Sequence, residues 1–233
     1  MLCNIAEINV EVCPDEMTRL RLGTYAIDGG IPEFTVAPET IESYNMRKPV
    51  DCNFKAFQYL TCGSSFYRQL INYNGIPLHS SAVVYDNKAY LFSAPSGTGK
   101  STHTGFWLDL FGADSYILND DKPAIRCFAD GVYAYGTPWS GKHDISANKK
   151  VPLQGICFIS RDNKNWIKQM DPFIASTRIY HAAMKRLTDM QATKEIAIIN
   201  DIISRVPIWE MGCLPNIDAA KMAYEAMSKA EVK

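Results

Sequence analysis

The 233-residue chain balances 24 lysines and arginines against 25 acids, so no bulk positive field gathers nucleic acid, although a local positive pocket stays open. Its 47% hydrophobic and 21% charged residues are ordinary for a soluble globular protein, with length enough for one sizeable core or two modest domains. Seven scattered cysteines, odd in number and without a C-x-x-C pair, point to reduced thiols in a cytoplasmic protein rather than to a disulfide scaffold or zinc site.

From the amino terminus, Ile5, Ile8, Val10 and Val12 alternate loosely with polar residues, as in a half-buried strand. Glu7 and Glu11 stand where a signal peptide has its apolar core. Turn residues in DGGIPEFTVAP bracket a short strand, Phe34 to Val36. Phe57, Leu60, Tyr67 and Ile71 share a helical face, with Gly75 as the expected stop and Gly63 an unfavourable residue in the middle. The longest uncharged stretch, QLINYNGIPLHSSAVVY, is interrupted by Gln, Asn, His and Ser, which argues against a membrane span.

SSAVVYDNKAYLFSA reads as two strands joined at Asp86-Asn87. KSTHTGFWLDLFG reads as a helix ending at Gly112. Beyond it, YILNDDKPAIRCFADGVYAYG resumes strand character with a turn at Ala129-Asp130-Gly131. LQGICFIS and NWIKQM are expected to pair around RDNKN. Ile179, Ala183, Leu187 and Met190, and then Ile196, Ile199, Ile203 and Val206, recur at helical spacing. A short strand VPIWEM and a helix DAAKMAYEAMSK follow. The pattern predicts an α+β fold, or α/β with a mixed sheet, in one domain. Within it, residues 1–75 form a β-rich lobe plus helix, 76–160 a core around the glycine loop, and 161–233 a helical part.

The stretch APSGTGKS, residues 94–101, is the phosphate-loop pattern with Ala94 in place of its first glycine. Ser96, Gly97, Thr98 and Gly99 can turn successive backbone N–H groups toward one anion, because glycine tolerates positive φ. Lys100 is placed to meet the β and γ phosphates as a point charge. Ser101 offers a hydroxyl to Mg²⁺, and Thr102 belongs to the same helix start, whose positive end adds to the cradle. A left-handed alanine costs roughly 1–2 kcal/mol, so Ala94 is expected in extended backbone at the end of the strand. Most phosphate loops follow a buried parallel strand after a crossover. Here the loop follows the second arm of a hairpin, and another hairpin comes after the acidic pair Asp120-Asp121.

That order, LHSSAVVYDNKAYLFSAPSGTGKSTHT, then LNDD and YGTPWSGK, resembles the catalytic core of the HPr kinase/phosphorylase-like proteins. Those share a nucleotide-binding core with the phosphoenolpyruvate carboxykinases. The resemblance runs from about Pro77 to Ser160. It implies antiparallel strands flanking the loop, ATP and Mg²⁺ as ligands, and an alcohol group as phosphoryl acceptor. It also implies Asp121 as the base, Asp120 beside Ser101 on the metal side, and His79 tuning the base. Successive strand residues point to opposite faces, so the two aspartates need a bent backbone to share a site. Phosphoryl transfer asks mainly for charge neutralisation and alignment, plus one acceptor for the hydroxyl proton.

Lys142, His143 and Arg161 are candidate contacts to a phosphate or anionic substrate. Trp139 and Trp209 read as packing anchors. No residue recognisably reads a base, leaving ATP and GTP both open. No copy of the second signature segment of HPr kinase/phosphorylase is found. The expected activity is therefore a Mg²⁺-dependent kinase acting on a hydroxyl, whether of a small molecule or of a seryl residue in a peptide or protein. The alternative is a catalytically weak nucleotide-binding regulatory module.

Overall fold

The first strands form a hairpin rather than one strand: β1 (Leu2–Ile5) and β2 (Ile8–Val12) are antiparallel. Ala6 and Glu7, at φ 53° and 61°, make the two-residue turn, whose left-handed backbone matches the strands' twist. The alternation shifts phase by one residue across that turn, from Cys3 and Ile5 to Ile8, Val10 and Val12. The computed structural model describes residues 1–47, 49–50, 52–183 and 187–232.

Next come α1 (Glu16–Arg21), capped by the Asp15 carboxylate, β3 (Phe34–Val36), parallel to β2, and α2 (Ile41–Arg47). The long α3 (Phe54–Leu70) starts at Asn53, whose side chain accepts from the Ala56 N–H. Its Gly63 is required by packing: a Cβ there would stand 2.7 Å from the Trp139 ring. The helix ends before Gly75, through a short 3₁₀ turn and a left-handed Asn74 at φ 54°, so asparagine supplies the stop expected of glycine.

Gly75 opens β4 (Gly75–Pro77), followed by β5 (Ser80–Tyr85) and β6 (Lys88–Ser93), a hairpin turning on Asp86-Asn87. Then come α4 (Lys100–Phe111), β7 (Ser115–Asn119), β8 (Ala124–Phe128), β9 (Gly131–Tyr135) and the long β10 (Lys150–Arg161). The last part holds β11 (Trp166–Gln169), α5 (Pro172–Ala182), α6 (Asp189–Arg205), β12 (Ile208–Cys213) and α7 (Ile217–Met227).

Strands β4-β8-β9-β10-β6-β5-β7 form a continuous path, and β12 adds to β10 with β11 beyond it. The sheet is mixed. β6 runs antiparallel to β5 but parallel to β10, and β10 is also parallel to β12. The fold is α+β with a mixed sheet. The expected pairing of LQGICFIS with NWIKQM does not occur, because β12 lies between β10 and β11 and pairs with both. Sequence proximity favours a hairpin, but β12 buries Ile208, Met211 and Gly212 beside β10, whereas β11 is half-buried at Trp166 and Ile167 and exposed at Lys168 and Gln169. The helical period over Ile179–Met190 also breaks. Ala183 is extended after α5, and α6 restarts at Thr188 with a reciprocal Thr188–Gln191 capping box. Met184, Lys185 and Arg186 lie outside the described residues.

Three apolar clusters hold these layers. One joins the sheet to α5 and α6, and another packs β1–β3 and α3 around Phe66 and Trp139. The third packs α4 and α7 on the sheet through Phe92, Trp107 and Met211. All seven cysteines are free thiols. Among the described residues, no helix is long and apolar enough to cross a membrane.

Candidate functional site

The glycine loop leaves the buried end of β6 and enters α4. Ala94, directly after the strand, is buried and stays out of the left-handed region. Gly97 and Gly99 do enter it, at φ +78° and +119°, and the space beside both is open. Gly99 precedes α4, and among the described residues no side chain caps the first N–H groups of the helix. Arg161, at the end of β10, donates to the Gly97 carbonyl at 2.7 Å and the Thr98 carbonyl at 3.2 Å. Across a trans peptide the N–H opposes the C=O, so the Gly99 amide faces away from Arg161. Ser96 and Gly97 are exposed, as are Ser101 and Thr102 on the first turn of α4.

Lys100 is buried beneath this loop. Its ammonium donates to the Ala94 carbonyl at 2.9 Å and to that of Pro95 at 3.4 Å. Burial lowers its pKa, and the charges of Asp121 and Asp120 oppose that shift. The lysine therefore shares an electrostatic environment with the acidic pair. Its ammonium rests on carbonyl oxygens that an anion in the cradle would replace.

The acidic pair sits on a bend just past β7. Asn119 makes it: its Oδ1 accepts from the Asp121 N–H at 3.0 Å and the Lys122 N–H at 2.8 Å. Its amide donates to the Thr137 carbonyl and hydroxyl at 3.0 and 3.1 Å, anchoring the bend to the neighbouring loop. The two carboxylates consequently diverge. Asp120 is buried toward α4 and accepts from the Ser81 hydroxyl at 2.6 Å, which lies 2.8 Å from the Thr104 hydroxyl. Asp121 is half-buried, with one oxygen 3.5 Å from His79 Nε2 and the other 3.2 Å from the Lys122 ammonium. Gly141 presses against Asp121, since a Cβ there would stand 2.8 Å from its Cβ.

His79 precedes β5, and its main-chain N–H donates to the Ala182 carbonyl at 2.9 Å. Burial, and then the Lys100 charge, hold its imidazole below the ordinary histidine pKa, although Asp121 pulls the other way. The ring is a neutral partner for Asp121 near pH 7.

Most of the residues singled out from sequence thus meet around the loop: Ser96 to Thr102, His79, Asp120, Asp121 and Arg161. Lys142 and His143 do not join them through side-chain bonds. Both are exposed just after Gly141, and neither has a hydrogen-bond partner among the described residues. Lys122 is instead the lysine on Asp121. Trp139 is a core residue stacked on Phe66 at 5.2 Å.

Ser81, Thr104 and Arg21 carried no separate signal, and Asn119 was not singled out. Asn119 was the most accessible, because an asparagine ahead of two acids often forms such a turn. Arg21 comes from α1, far away in sequence. It bonds the Tyr59 hydroxyl, donates to the Gly141 carbonyl at 3.0 Å and pairs with Asp144 at 2.9 Å. It therefore fastens the 138–144 loop behind Asp121.

Three clefts surround the loop. One of about 480 Å³ lies over Pro95–Thr98 beside Arg161 and Arg178, and one of about 320 Å³ runs along Thr98, Thr102 and Phe106 to Pro215. A third, of about 200 Å³, lies between His79, Ala94 and α5. A larger cleft, of about 760 Å³, is remote from this chemistry, and its Lys194 and Arg205 already bond Asn72, Asp201 and the Phe128 carbonyl. Among the described residues no group of three or more His, Cys, Asp or Glu side chains is arranged to hold a metal by itself. A Mg²⁺ ion held mainly by phosphates needs fewer protein ligands than that, one or two carboxylates or hydroxyls. Compared with known protein families and with curated proteins, the chain matches none.

Proposed function

We propose that this protein is a Mg²⁺-dependent phosphotransferase that moves the γ-phosphoryl group of ATP onto a hydroxyl, built on the HPr kinase/phosphorylase-like plan. The single observation that carries the reading is the divided acidic pair beside the phosphate loop. One carboxylate turns toward the start of the loop helix and the other toward a neutral imidazole. A module that only bound nucleotide has no use for that second carboxylate. The mixed sheet, with the loop following a hairpin, further supports the plan.

The residues present fit the ligand. The open amides at Gly99 and the helix start, together with Lys100, suit a polyphosphate. Ser101 and Asp120 are the oxygen donors for its Mg²⁺, linked through α4 by the Thr104–Ser81–Asp120 contacts. Bound Mg²⁺ neutralises charge on the phosphates. Lys100 leaves the Ala94 and Pro95 carbonyls for the β and γ oxygens. Asp121 accepts the proton of the acceptor hydroxyl as its oxygen bonds to phosphorus and the bond to the departing ADP breaks. His79 orients Asp121, and Lys122 holds its other oxygen.

Calorimetry with MgATP, followed by a coupled ADP-release assay, tests the reading. Lys100→Ala should weaken MgATP binding about 10- to 100-fold, the loss of a charge-assisted contact. Asp121→Asn should keep ATP affinity and lower turnover by about 10²- to 10⁴-fold. Absence of MgATP binding by the native chain would sink the proposal. A native chain that binds ATP without any turnover would favour the regulatory module instead.

A further inference from the structure

The cleft of about 200 Å³ at the start of the loop has a wall that the nucleotide chemistry leaves unused. Its floor is His79, Ser93, Ala94 and Pro95, and α5 closes the far side with Arg178 and His181. The bond from the His79 N–H to the Ala182 carbonyl pins the last turn of α5 beside the candidate base system. Three residues apart on a helix, Arg178 and His181 share a face.

The charge of this wall is one-sided, since among the described residues no carboxylate lines the cleft. Arg178 has no carboxylate partner among the described residues. Its guanidinium lies 5.8 Å from the centre of the Phe158 ring, a contact that leaves its N–H groups available. Basic residues near a helix carboxyl end also serve the helix dipole. That role is met on any face, yet both of these border a cleft that opens on His79. Arg178 also borders the adjoining cleft over Ser96–Thr98, so it faces the space between acceptor and phosphate.

We propose that Arg178 and His181 form an anion-recognising wall, and that the acceptor is a small hydroxyl compound bearing a carboxylate or phosphate group. This rests on the phosphotransferase reading and narrows it. The planar Arg178 fork holds the anionic group, as guanidinium suits both carboxylate and phosphate. His181 adds a second donor, and the hydroxyl end of the compound lies toward His79 and Asp121. The transfer itself is unchanged: the acceptor oxygen bonds to phosphorus, ADP leaves, and the proton goes to Asp121. The small volume of the cleft favours a compact acceptor.

The test titrates glycerate, glycerol 3-phosphate and uncharged glycerol into the full chain by calorimetry, with and without MgADP. It uses the native protein, Arg178→Gln, Arg178→Lys and His181→Gln, all at exposed positions. With MgADP in the cradle, at least one anionic compound should bind the native protein about tenfold or more tightly than glycerol. Glycerate against glycerol 3-phosphate tells carboxylate from phosphate. Arg178→Gln should abolish the preference, His181→Gln should reduce it and Arg178→Lys should retain part of it, while MgADP affinity stays unchanged in all three. Equal affinity for the three compounds, no binding of any, or a preference that survives both Arg178→Gln and His181→Gln overturns the proposal. Failure of the native chain to bind MgADP counts against the phosphotransferase reading, and the nucleotide-free titrations still report whether anion preference depends on Arg178.

Discussion

The loop of residues 94–104 takes its course mainly from neighbours in sequence, with Arg161 bonded to its Gly97 and Thr98 carbonyls, whereas the corner holding Asp120 and Asp121 is assembled from distant stretches. In the cradle, Gly97 and Gly99 take their positive φ within a few residues of the lysine they serve. Asp121, by contrast, meets His79, Lys122, Gly141 and, through the 138–144 loop, Arg21 from α1. Backbone amides and a helix start form an anion site without outside help. A base needs its proton affinity and direction set by surroundings, and those come from the tertiary fold. The difference teaches that the backbone conformation of the loop is encoded locally here and the surroundings of Asp121 are not.

The two regions can be tested separately, through stability and through turnover. The largest effect is expected at Gly136, where an added Cβ would stand 2.0 Å from the Ala147 carbonyl oxygen and 2.6 Å from that of Leu118. Both are backbone atoms that cannot rotate away, so Gly136→Ala should cost about 3 kcal/mol or more, read from urea denaturation. A stability within about 0.5 kcal/mol of the native value would mean that the corner tolerates rearrangement.

On the cradle side, His103 fastens α4 from within. It is buried, packs on Phe92 at 4.4 Å and accepts from Trp107 Nε1 at 3.4 Å, and burial lowers its pKa to about 4. Below pH 6.5 the unfolded chain takes up the proton more readily than the folded one, so stability falls with pH. The contribution is fully present above about pH 6.5 and is lost down to about pH 4, roughly 3 kcal/mol in all. Denaturation midpoints across that window should show an acid limb that His103→Gln flattens. An unchanged limb in the variant would assign the acid sensitivity elsewhere.

The smallest effect sharpens the contrast most. Arg21→Gln frees the Gly141–Asp144 segment behind Asp121 without touching the loop. Turnover should fall about tenfold, as a misplaced catalytic group predicts, with MgATP affinity unchanged. Arg21→Lys should restore part of it. A loss of MgATP affinity in Arg21→Gln would show that corner and cradle are not separable.

What could be read from the chain follows the same division. The hairpin at Asp86-Asn87, the glycine loop, the helix ending before Gly112 and the strand at Phe34–Val36 all rest on short-range signals, and all are present. The first hairpin was hidden because Ala6-Glu7 carries no glycine or asparagine to mark its turn. The expected partner of NWIKQM was wrong because β12, some 40 residues further on, takes the place between β10 and β11. Pattern alone does not reveal which strand fills a gap in a sheet. Gly63 looked like a helix weakness until Trp139 supplied its reason.

By itself, then, the sequence determined the glycine loop, because backbone conformation at Gly97 and Gly99 and the charge of Lys100 depend on local residue type. It also determined that an acidic pair follows the loop helix. Only the tertiary structure decided how the pair divides, since Asp120 turns to Ser81 and Asp121 to His79 through a bend that Asn119 ties to Thr137. The same holds for Arg178 and His181, which reach the cleft because the end of α5 is bonded to the backbone of His79. Such contacts join residues far apart in the chain, and packing alone brings them together.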